Sequence, residues 1–370
     1  MPQDPPSLTA VVSQFPAPSQ TFIRRKLDGL RAAGLDVTVA AAEFTEPAEA
    51  TEYRYLSLLP WTSPRVALDA SSRAAWRATA AAFPSAVRNG RGLRHSVAVA
   101  PIGAAGSDIV HFEFSGIAVT YLDQLDALHD HARLAVSCRG SAEQVQPLKE
   151  PARREALARV FEQMDLIHCV SEDMRRTVEA LGAPPARILV NRPAVPVADF
   201  MPLRDRPAHD GAFRLLSVGR LHWKKGFDDA VRAIAMLRRN GVEVEHRIAG
   251  EGPEREKLSF MIHELGLAGS VELLGVRSSA QVRDLLGWAD ALLLPSQSEG
   301  ISNAVLEAMA AGLPVVSTDC GGMTEVVDHD RNGLVVGVGD LDAMAHHLGD
   351  LAADPDLRAD HRVRPDHRAG

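Results

Sequence analysis

From about Phe213 onward, short apolar runs alternate regularly with helical stretches and brief turns. The apolar runs have the length of strands buried on both faces, and they are Phe213–Val218, Val244–Ala249, Val271–Gly275, Asp290–Pro295, Pro314–Thr318 and a weaker run at Gly333–Val336. Helical stretches begin near Phe227, Pro253, Ser279, Asn303 and Leu341. This alternation predicts an α/β fold, in which a parallel sheet is covered by helices.

The first half of the chain follows the same alternation less cleanly. Its expected strands are Leu8–Val12, Leu35–Ala40, Asp108–Phe112, Leu134–Ser137, Leu166–Val170 and Arg187–Asn191. A proline-rich stretch without periodicity separates the halves and is typical of a linker. We therefore predict two Rossmann-like, doubly wound parallel-sheet domains facing a cleft: residues 1–195 and 213–355, joined by a linker at 196–212 and followed by a polar tail at 356–370.

Length and composition limit the function classes. The chain has 370 residues, more than the ~250–300 at which single cores stop growing. The net charge is −8 with both signs dispersed, so no nucleic-acid partner is expected. The cysteines, Cys138, Cys169 and Cys320, lie in or beside apolar runs, which is typical of reduced thiols in a cytoplasmic protein.

The segment Trp61–His95 does not fit the alternation. It carries two tryptophans, many alanines and six arginines. A basic amphipathic helix of this kind could lie on an anionic membrane surface or contact a lipid-linked acceptor, whereas an ordinary helix with a solvated arginine face is the simpler explanation. We expect a cytoplasmic protein, with peripheral contact at the inner face of the membrane as the alternative.

The stretch from Ser296 to Pro314 reads S-Q-S-E-G-I-S-N-A-V-L-E-A-M-A-A-G-L-P. It places Glu299 in the loop before a helix and Glu307 two turns inside that helix. A ligand lying across the mouth of the helix could touch both carboxylates. The spacing alone is equally compatible with a loop residue and a solvated helix charge.

A cationic turn follows the strand Phe213–Val218. The sequence S-V-G-R-L-H-W-K-K-G places Gly219, Arg220 and Lys225 between that strand and the next helix. Ligands of open α/β sheets bind beyond the carboxyl ends of the strands, where an arginine and a lysine suit a diphosphate. The turn is neither a dinucleotide fingerprint nor a Walker loop, and by itself two solvated cations explain it as well.

Together the two stretches resemble the retaining glycosyltransferases of family 4, the glycosyl transferases group 1, which have the GT-B fold. The resemblance is strong across Leu215–Leu351 and looser before it. Its motifs are G-R-L-x-x-x-K-G at Gly219–Gly226, E-x(7)-E at Glu299 and Glu307, E-A-M-A-x-G-L-P-V-V from Glu307, and D-C-G-G-M-x-E-V-V from Asp319. Weaker echoes in the first half include D-I-V-H-F-E, which ends at Glu113.

The resemblance implies a sugar transferase that takes its sugar from a nucleotide-diphosphate donor and gives it to a saccharide or lipid-linked acceptor, in surface polysaccharide biosynthesis. Arg220 and Lys225 would bind the diphosphate, and Glu299 would hold the donor sugar. The remaining donor contacts implied are the amides of Gly300, Ile301 and Ser302 at the sugar, Glu307 at the ribose and Val276 near the base.

Fixed cations and helix-end amides stabilise the negative charge that develops on a departing diphosphate, and two of them can replace a metal. We therefore expect no essential metal and no cofactor, the nucleotide sugar being a substrate. The D-x-D patterns at 328/330, 340/342 and 354/356 are better explained as turns and helix caps. The resemblance implies retention of stereochemistry, for which we favour front-face transfer over the two-carboxylate route.

The chain departs from the family pattern in two places. Relatives commonly have a histidine in T-x-H-G after the strand that matches Leu134–Ser137, whereas this chain has Arg139, which cannot act as a base near neutral pH. His111 and Glu113 are the other expected acceptor-side residues. Relatives also continue through further helices after Leu351. These departures leave open a catalytically weak or inactive nucleotide-sugar-binding protein, and the fold also allows a nucleotide-sugar epimerase.

Overall fold

A computed structural model describes residues 5–17, 20–45, 53–58, 101–103, 105–204, 209 and 211–361 of the chain. The chain divides into two compact units. The first consists of Met1–Cys169 and Met174–Asn191, and the second of Val170–Asp173 and Arg192–Gly370. The segment Trp61–His95, for which an amphipathic helix was considered, lies outside the described residues.

The first unit is built on a seven-stranded parallel sheet within the described residues. In chain order its strands are β1 (Ser7–Phe15), β2 (Asp36–Phe44), β3 (Arg54–Ser57), β4 (Ile109–Phe112), β5 (Arg133–Cys138), β6 (Leu166–Cys169) and β7 (Ile188–Val190). The order across the sheet is β3-β2-β1-β4-β5-β6-β7. The helices are Thr21–Ala32, Ser115–Thr120, Leu125–His129, Ser141–Gln144, Gln146–Lys149 and Pro151–Gln163, and the helix Glu172–Ala180 belongs to this unit from Met174 onward.

Among its described residues, the second unit has a six-stranded parallel sheet. Its strands are β8 (Phe213–Val218), β9 (Val244–Ala249), β10 (Val271–Gly275), β11 (Ala291–Leu294), β12 (Val315–Thr318) and β13 (Leu334–Val336), in the order β10-β9-β8-β11-β12-β13. The helices are Phe227–Arg239, Arg255–Glu264, Ser279–Trp288, Asn303–Ala310, Leu341–Ala353 and Pro355–Asp360. The prediction of two Rossmann-like parallel-sheet domains is confirmed.

Burial explains why the second half gave the clearer pattern. All four residues of β11 are completely buried, as expected for a central parallel strand covered on both faces. The helix Phe227–Arg239 buries one face, has Asp228 and Asp229 in its first turn, and has two arginines in its last turn. Acidic side chains at the N-terminus and basic side chains at the C-terminus stabilise the helix through its dipole.

Two differences from the sequence-based expectation have simple causes. Strand β3 was not predicted, because it is a four-residue edge strand paired only with β2. The segment 356–370 was predicted as a polar tail, but it begins within the helix Pro355–Asp360. Asp354 caps this helix by accepting the N–H of Leu357 at 3.1 Å, and Leu357 packs against the core.

Candidate functional site

The order of strands in the second sheet reverses between β8 and β11. Strands β9 and β10 lie on one side of β8, whereas β11, β12 and β13 lie on the other. In an open α/β sheet, the loops that leave the two strands at such a reversal point diverge and leave a crevice, which is where ligands bind. The loop after β8 is the predicted cationic turn, and the loop after β11 carries Glu299.

These two loops contact each other directly. The amide of Gln297 donates to the carbonyl of Lys224 at 2.7 Å. Gly226 has φ +62°, and a Cβ built on it would lie 1.9 Å from the carbonyl oxygen of Pro295. Only glycine accommodates both the left-handed backbone and this approach of two main chains.

The side chains of Lys225 and Glu299 form an ion pair across the contact between the loops. The Lys225 Nζ binds the Glu299 Oε1, and the two side chains are 13% and 12% exposed. The hydroxyl of Ser296 donates to the same carboxylate oxygen at 3.2 Å. The two residues singled out in separate motifs therefore form one mostly buried unit, in which each fixes the position of the other.

Arg220 presents its charge differently. Its side chain is exposed, and it forms no ion pair or hydrogen bond with any of the described residues. The preceding residue, Gly219, packs closely against the main chain of Gly250. A Cβ built on Gly250 would lie 1.8 Å from the Gly219 carbonyl oxygen. The crevice thus has bare backbone on one side and an unpaired guanidinium open to solvent.

The main chain between Glu299 and the next helix offers unused donors. The N–H groups of Gly300, Ile301 and Ser302 donate to no other described residue. Ser302 is the N-cap residue of the helix Asn303–Ala310, but its side chain makes no capping hydrogen bond. Three successive amides at a helix N-terminus suit an anion or a hydroxyl-rich ligand.

The remaining predicted donor contacts lie farther from the ion pair. Glu307 is partly exposed and lies about one turn into the helix Asn303–Ala310. Val276 follows β10, two strands away from β8, and its side chain is 60% exposed. The structure gives each of them access to solvent on the second unit, and their assigned roles at ribose and base remain predictions.

In the first unit, the three expected acceptor-side residues come together at the carboxyl ends of β4 and β5. Arg139 Nη2 donates to Glu113 Oε2 at 3.2 Å, and His111 Nδ1 lies 3.8 Å from Glu113 Oε1. Glu113 is completely buried. Burial alone would raise the pKa of its carboxyl, but His111, Lys26 and Arg139 outweigh that effect and hold the pKa at about 2.

Lys26 also belongs to this cluster, although no sequence pattern predicted it there. Its ammonium group binds the Glu113 carboxylate and donates to His111 Nδ1 at 3.2 Å. Lys26 lies on the helix Thr21–Ala32, far from the other members along the chain. A usable signal was present, since the chain has only five lysines, and this one lies in the helix directly after β1.

Two of the D-x-D patterns supply helix caps, as the sequence predicted. Asp340 caps the helix Leu341–Ala353 through the N–H of Ala343 at 3.0 Å, as Asp354 caps the helix after it. In the part of the chain that the structure describes, no cluster of three or more His, Cys, Asp or Glu side chains is placed to hold a metal ion. None of the helices there combines the length and apolar character needed to cross a membrane.

Two family models match consecutive parts of the sequence. The model described as glycosyl transferases group 1 matches residues 203–364, and a glycosyl transferase 4-like domain matches residues 19–194. The chain is 32% identical over 248 residues to the amylovoran biosynthesis glycosyltransferase AmsK of Erwinia amylovora, an alignment that covers 65% of this chain and 60% of AmsK.

Solved structures share the fold over nearly the whole chain. The structure of Anabaena Alr3699/HepE in complex with UDP and glucose superposes with a TM-score of 0.71 at 17% identity, covering 96% of this chain and 92% of that one. A sucrose-phosphate synthase from Thermosynechococcus elongatus gives the same TM-score, identity and coverage. At such low identity these likenesses establish the architecture alone.

Proposed function

We propose that this chain, which belongs to the glycosyl transferases group 1, moves a sugar from a nucleotide-diphosphate donor to a saccharide or lipid-linked acceptor, with retention at the anomeric carbon and without a metal. Surface polysaccharide biosynthesis is the proposed setting. That setting is supported by the likeness to AmsK, whose name assigns it to amylovoran biosynthesis.

The observation that carries the proposal is the ion pair of Lys225 with Glu299 at the strand-order reversal, with the exposed Arg220 in the same turn as Lys225. When a sugar leaves a nucleoside diphosphate, negative charge accumulates on the departing diphosphate. Cations held in place beforehand stabilise that charge more strongly in the transition state than in the ground state. Lys225 is held by Glu299, and Arg220 has all its donors available.

The free amides support a position for the sugar end of the donor. Gly300, Ile301 and Ser302 present unpaired N–H groups next to Glu299, so the donor sugar can be held by main-chain donors and one carboxylate acceptor. A sugar presents hydroxyls that both donate and accept, which this combination satisfies. Glu307 would then accept from the ribose hydroxyls, and Val276 would contact the base.

The contacts of Glu299 support its assignment to the donor sugar. Its Oε1 accepts from Lys225 and from the Ser296 hydroxyl at 3.2 Å, which fixes the position of the carboxylate. A carboxylate fixed in this way can accept from a sugar hydroxyl and orient the lysine.

The test uses the purified full chain with a panel of UDP-, GDP- and ADP-sugars. A donor that raises the melting temperature identifies the base and sugar, since a ligand that binds the folded state stabilises it by mass action. Nucleotide release is then measured for wild type and for Arg220→Ala, Lys225→Ala and Glu299→Ala. Lys257→Ala is the matched control, because Lys257 is a surface lysine of the same unit paired with Asp228.

We expect each of the three site variants to lose roughly a hundredfold or more in kcat/KM, as is usual when a group that stabilises transition-state charge is removed, and the control to match wild type. The configuration of the product anomeric carbon, followed by NMR, tests retention. The assay also contains saccharide and lipid-linked acceptors. If wild type binds a donor but releases no nucleotide under these conditions, the result contradicts transfer and indicates a sugar-nucleotide-binding protein.

A further inference from the structure

A group of charged side chains lies at the carboxyl ends of β4 and β5 in the first unit. Lys26 and Arg139 both contact the buried carboxylate of Glu113. We infer that Lys26 and Arg139 form a binding site for one carboxylate group of an acidic sugar. This inference rests on the proposed function only in taking that sugar to be part of the acceptor.

The first argument is charge. Two cations share one carboxylate, and His111 adds none because burial lowers its pKa to about 3. The cluster therefore carries one excess positive charge at neutral pH. Burial lowers the pKa of Lys26 in spite of its contact with Glu113, and the neighbouring Arg139 adds to the lowering. An incoming monoanion would balance the cluster.

The second argument is exposure. The Glu113 side chain is 0% exposed, whereas those of Lys26 and Arg139 are 28% and 15% exposed. The carboxylate thus lies behind the two cations, away from solvent. A ligand that approaches from solvent meets the cations first.

The third argument is the supply of hydrogen-bond donors. Arg139 uses Nε for the Glu113 carbonyl at 3.2 Å and Nη2 for the Glu113 carboxylate and the Ser137 hydroxyl. Its Nη1 donates to no other described residue. Lys26 donates to Glu113 and His111 and retains a third ammonium proton. Donors on two different elements are therefore available to one ligand.

The cations are held in place before a ligand arrives. The Arg139 guanidinium stacks on the ring of Phe22, with its central carbon 4.8 Å from the ring centroid. Both cations are anchored to the same buried carboxylate. A guanidinium fixed in this way forms charge-assisted hydrogen bonds with little loss of side-chain entropy.

A chain of hydrogen bonds determines the proton positions behind the site. Because an ammonium group only donates, His111 Nδ1 must accept from Lys26, so its Nε2 carries the proton and donates to Ser137 Oγ at 2.9 Å. Ser137 then donates to His168 Nδ1 at 2.9 Å, and His168 Nε2 donates to the Asn191 carbonyl at 2.8 Å. Both ring nitrogens of His111 are engaged, which leaves ligand contact to Lys26 and Arg139.

A carboxylate fits better than a phosphate monoester. The excess charge of one matches a carboxylate, whereas a monoester near neutral pH carries about −1.5 to −2. A phosphodiester carries the same single charge as a carboxylate, so the two sources must be separated by experiment.

The experiment measures binding of methyl β-D-glucuronide to the full chain by ligand-observed NMR, with no donor present. Methyl β-D-glucoside is the matched ligand, because it differs only in having a hydroxymethyl group in place of the carboxylate. Dimethyl phosphate represents a phosphodiester. We expect the glucuronide to bind, the glucoside to bind at least roughly tenfold more weakly, as expected for the loss of one charge-assisted hydrogen bond, and added NaCl to weaken the glucuronide only.

Variants locate the site. Arg139→Gln is expected to weaken glucuronide binding roughly ten- to hundredfold. The control is Arg133→Gln, since Arg133 lies at the opposite end of β5 with an 80% exposed side chain and should leave binding unchanged. Arg220→Ala, in the donor site, should also bind the glucuronide like wild type. The carboxylate site can therefore be tested whether or not the proposed donor chemistry is correct.

The wild-type comparison stands even if Arg139→Gln does not fold. Equal binding of glucuronide and glucoside would overturn the inference. So would preferential binding of dimethyl phosphate, or an equal loss in Arg133→Gln and Arg139→Gln. Selective glucuronide binding that is lost in Arg139→Gln and kept in Arg133→Gln would support the inference. Weaker binding in Arg139→Lys would also support it, because lysine keeps the charge but lacks the two-pronged guanidinium donor.

Discussion

Replacing Gly226 by alanine should separate the two loops that form the candidate donor site. Gly226 ends the turn after β8, and its added Cβ would lie 1.9 Å from the Pro295 oxygen, well inside the 3.0 Å that real Cβ atoms respect. The atom it meets belongs to the main chain, so no side-chain rotation can relieve the clash. One loop must move by about 1 Å or more for the contact to reach that limit.

The loss of folding stability in Gly226→Ala has two parts, backbone strain and the clash with Pro295, and a second glycine separates them. Gly241 follows the opposite end of the same helix, has φ +82°, and has no atom within 4 Å of its added Cβ. Gly241→Ala therefore measures the left-handed backbone alone, about 1 kcal/mol. Gly226→Ala adds an overpacking cost of about 1–3 kcal/mol. For a unit of this size, the respective losses in Tm should be about 2–4 °C and about 4–16 °C.

Activity should separate the two variants more sharply than stability. A 1 Å misplacement of a binding group can cost about a hundredfold in rate, and Lys225 directly precedes Gly226 while Glu299 follows Pro295 in the opposing loop. We expect kcat/KM for nucleotide release to fall about a hundredfold in Gly226→Ala and to stay at the wild-type value in Gly241→Ala. Equal Tm losses and equal rates in the two variants would refute the contact between the loops as the basis of the site.

Three further predictions concern the metal, the pH dependence and the helix cap formed by Glu325. Nucleotide release should be unchanged in excess EDTA, whereas activity lost in EDTA and restored by manganese would contradict a metal-independent site. Burial lowers the pKa of His246 to about 3, so the unfolded state takes up a proton below about pH 6.5 that the folded state refuses. Urea unfolding should therefore show His246→Leu losing about 2 kcal/mol less than wild type between pH 7 and pH 5, and identical losses would count against a neutral buried ring. Glu325 accepts the N–H groups of Glu172 and Asp173 at 3.0 and 2.9 Å, so Glu325→Gln should cost about 1–3 kcal/mol. The exposed Glu243→Gln should cost under about 0.5 kcal/mol, and equal unfolding free energies for these two variants would refute the cap.

The cap formed by Glu325 shows which features the sequence could predict and which it could not. Glu325 belongs to the motif D-C-G-G-M-x-E-V-V, which was recognised from its letters, but nothing in the letters indicated its partners. In the structure its carboxylate also binds Arg192, with Nη2 at 2.8 Å. Burial would raise the pKa of Glu325, but the two backbone N–H groups and Arg192 lower it. A motif identified the residue, and the packing of distant segments supplied its physical role.

The acceptor-side cluster shows the same division. His111 and Glu113 were selected as acceptor-side candidates within the D-I-V-H-F-E echo, and Arg139 because it replaces an expected histidine. Lys26 was passed over, since a lysine in an amphipathic helix is ordinarily solvated. Its contact with Glu113 depends on where the helix after β1 packs relative to β4, which no local pattern expresses.

The sequence by itself determined the elements and the chemistry of the loops. Apolar runs and helical periods report how each segment is buried, and this is why β8 to β13 and their helices could be located without a structure. Arg220, Lys225 and Glu299 could likewise be chosen from the composition of two turns and a family resemblance.

Only the tertiary structure decided which loops meet. The register and order of strands depend on pairings between segments far apart in the chain, and β8 pairs with β11 although two strands and three helices separate them. That pairing brings Gly226 against Pro295 and Lys225 against Glu299. Side-chain periodicity records that a strand is buried, but not beside which strand, and so the ion pair at the centre of the site had to come from the fold.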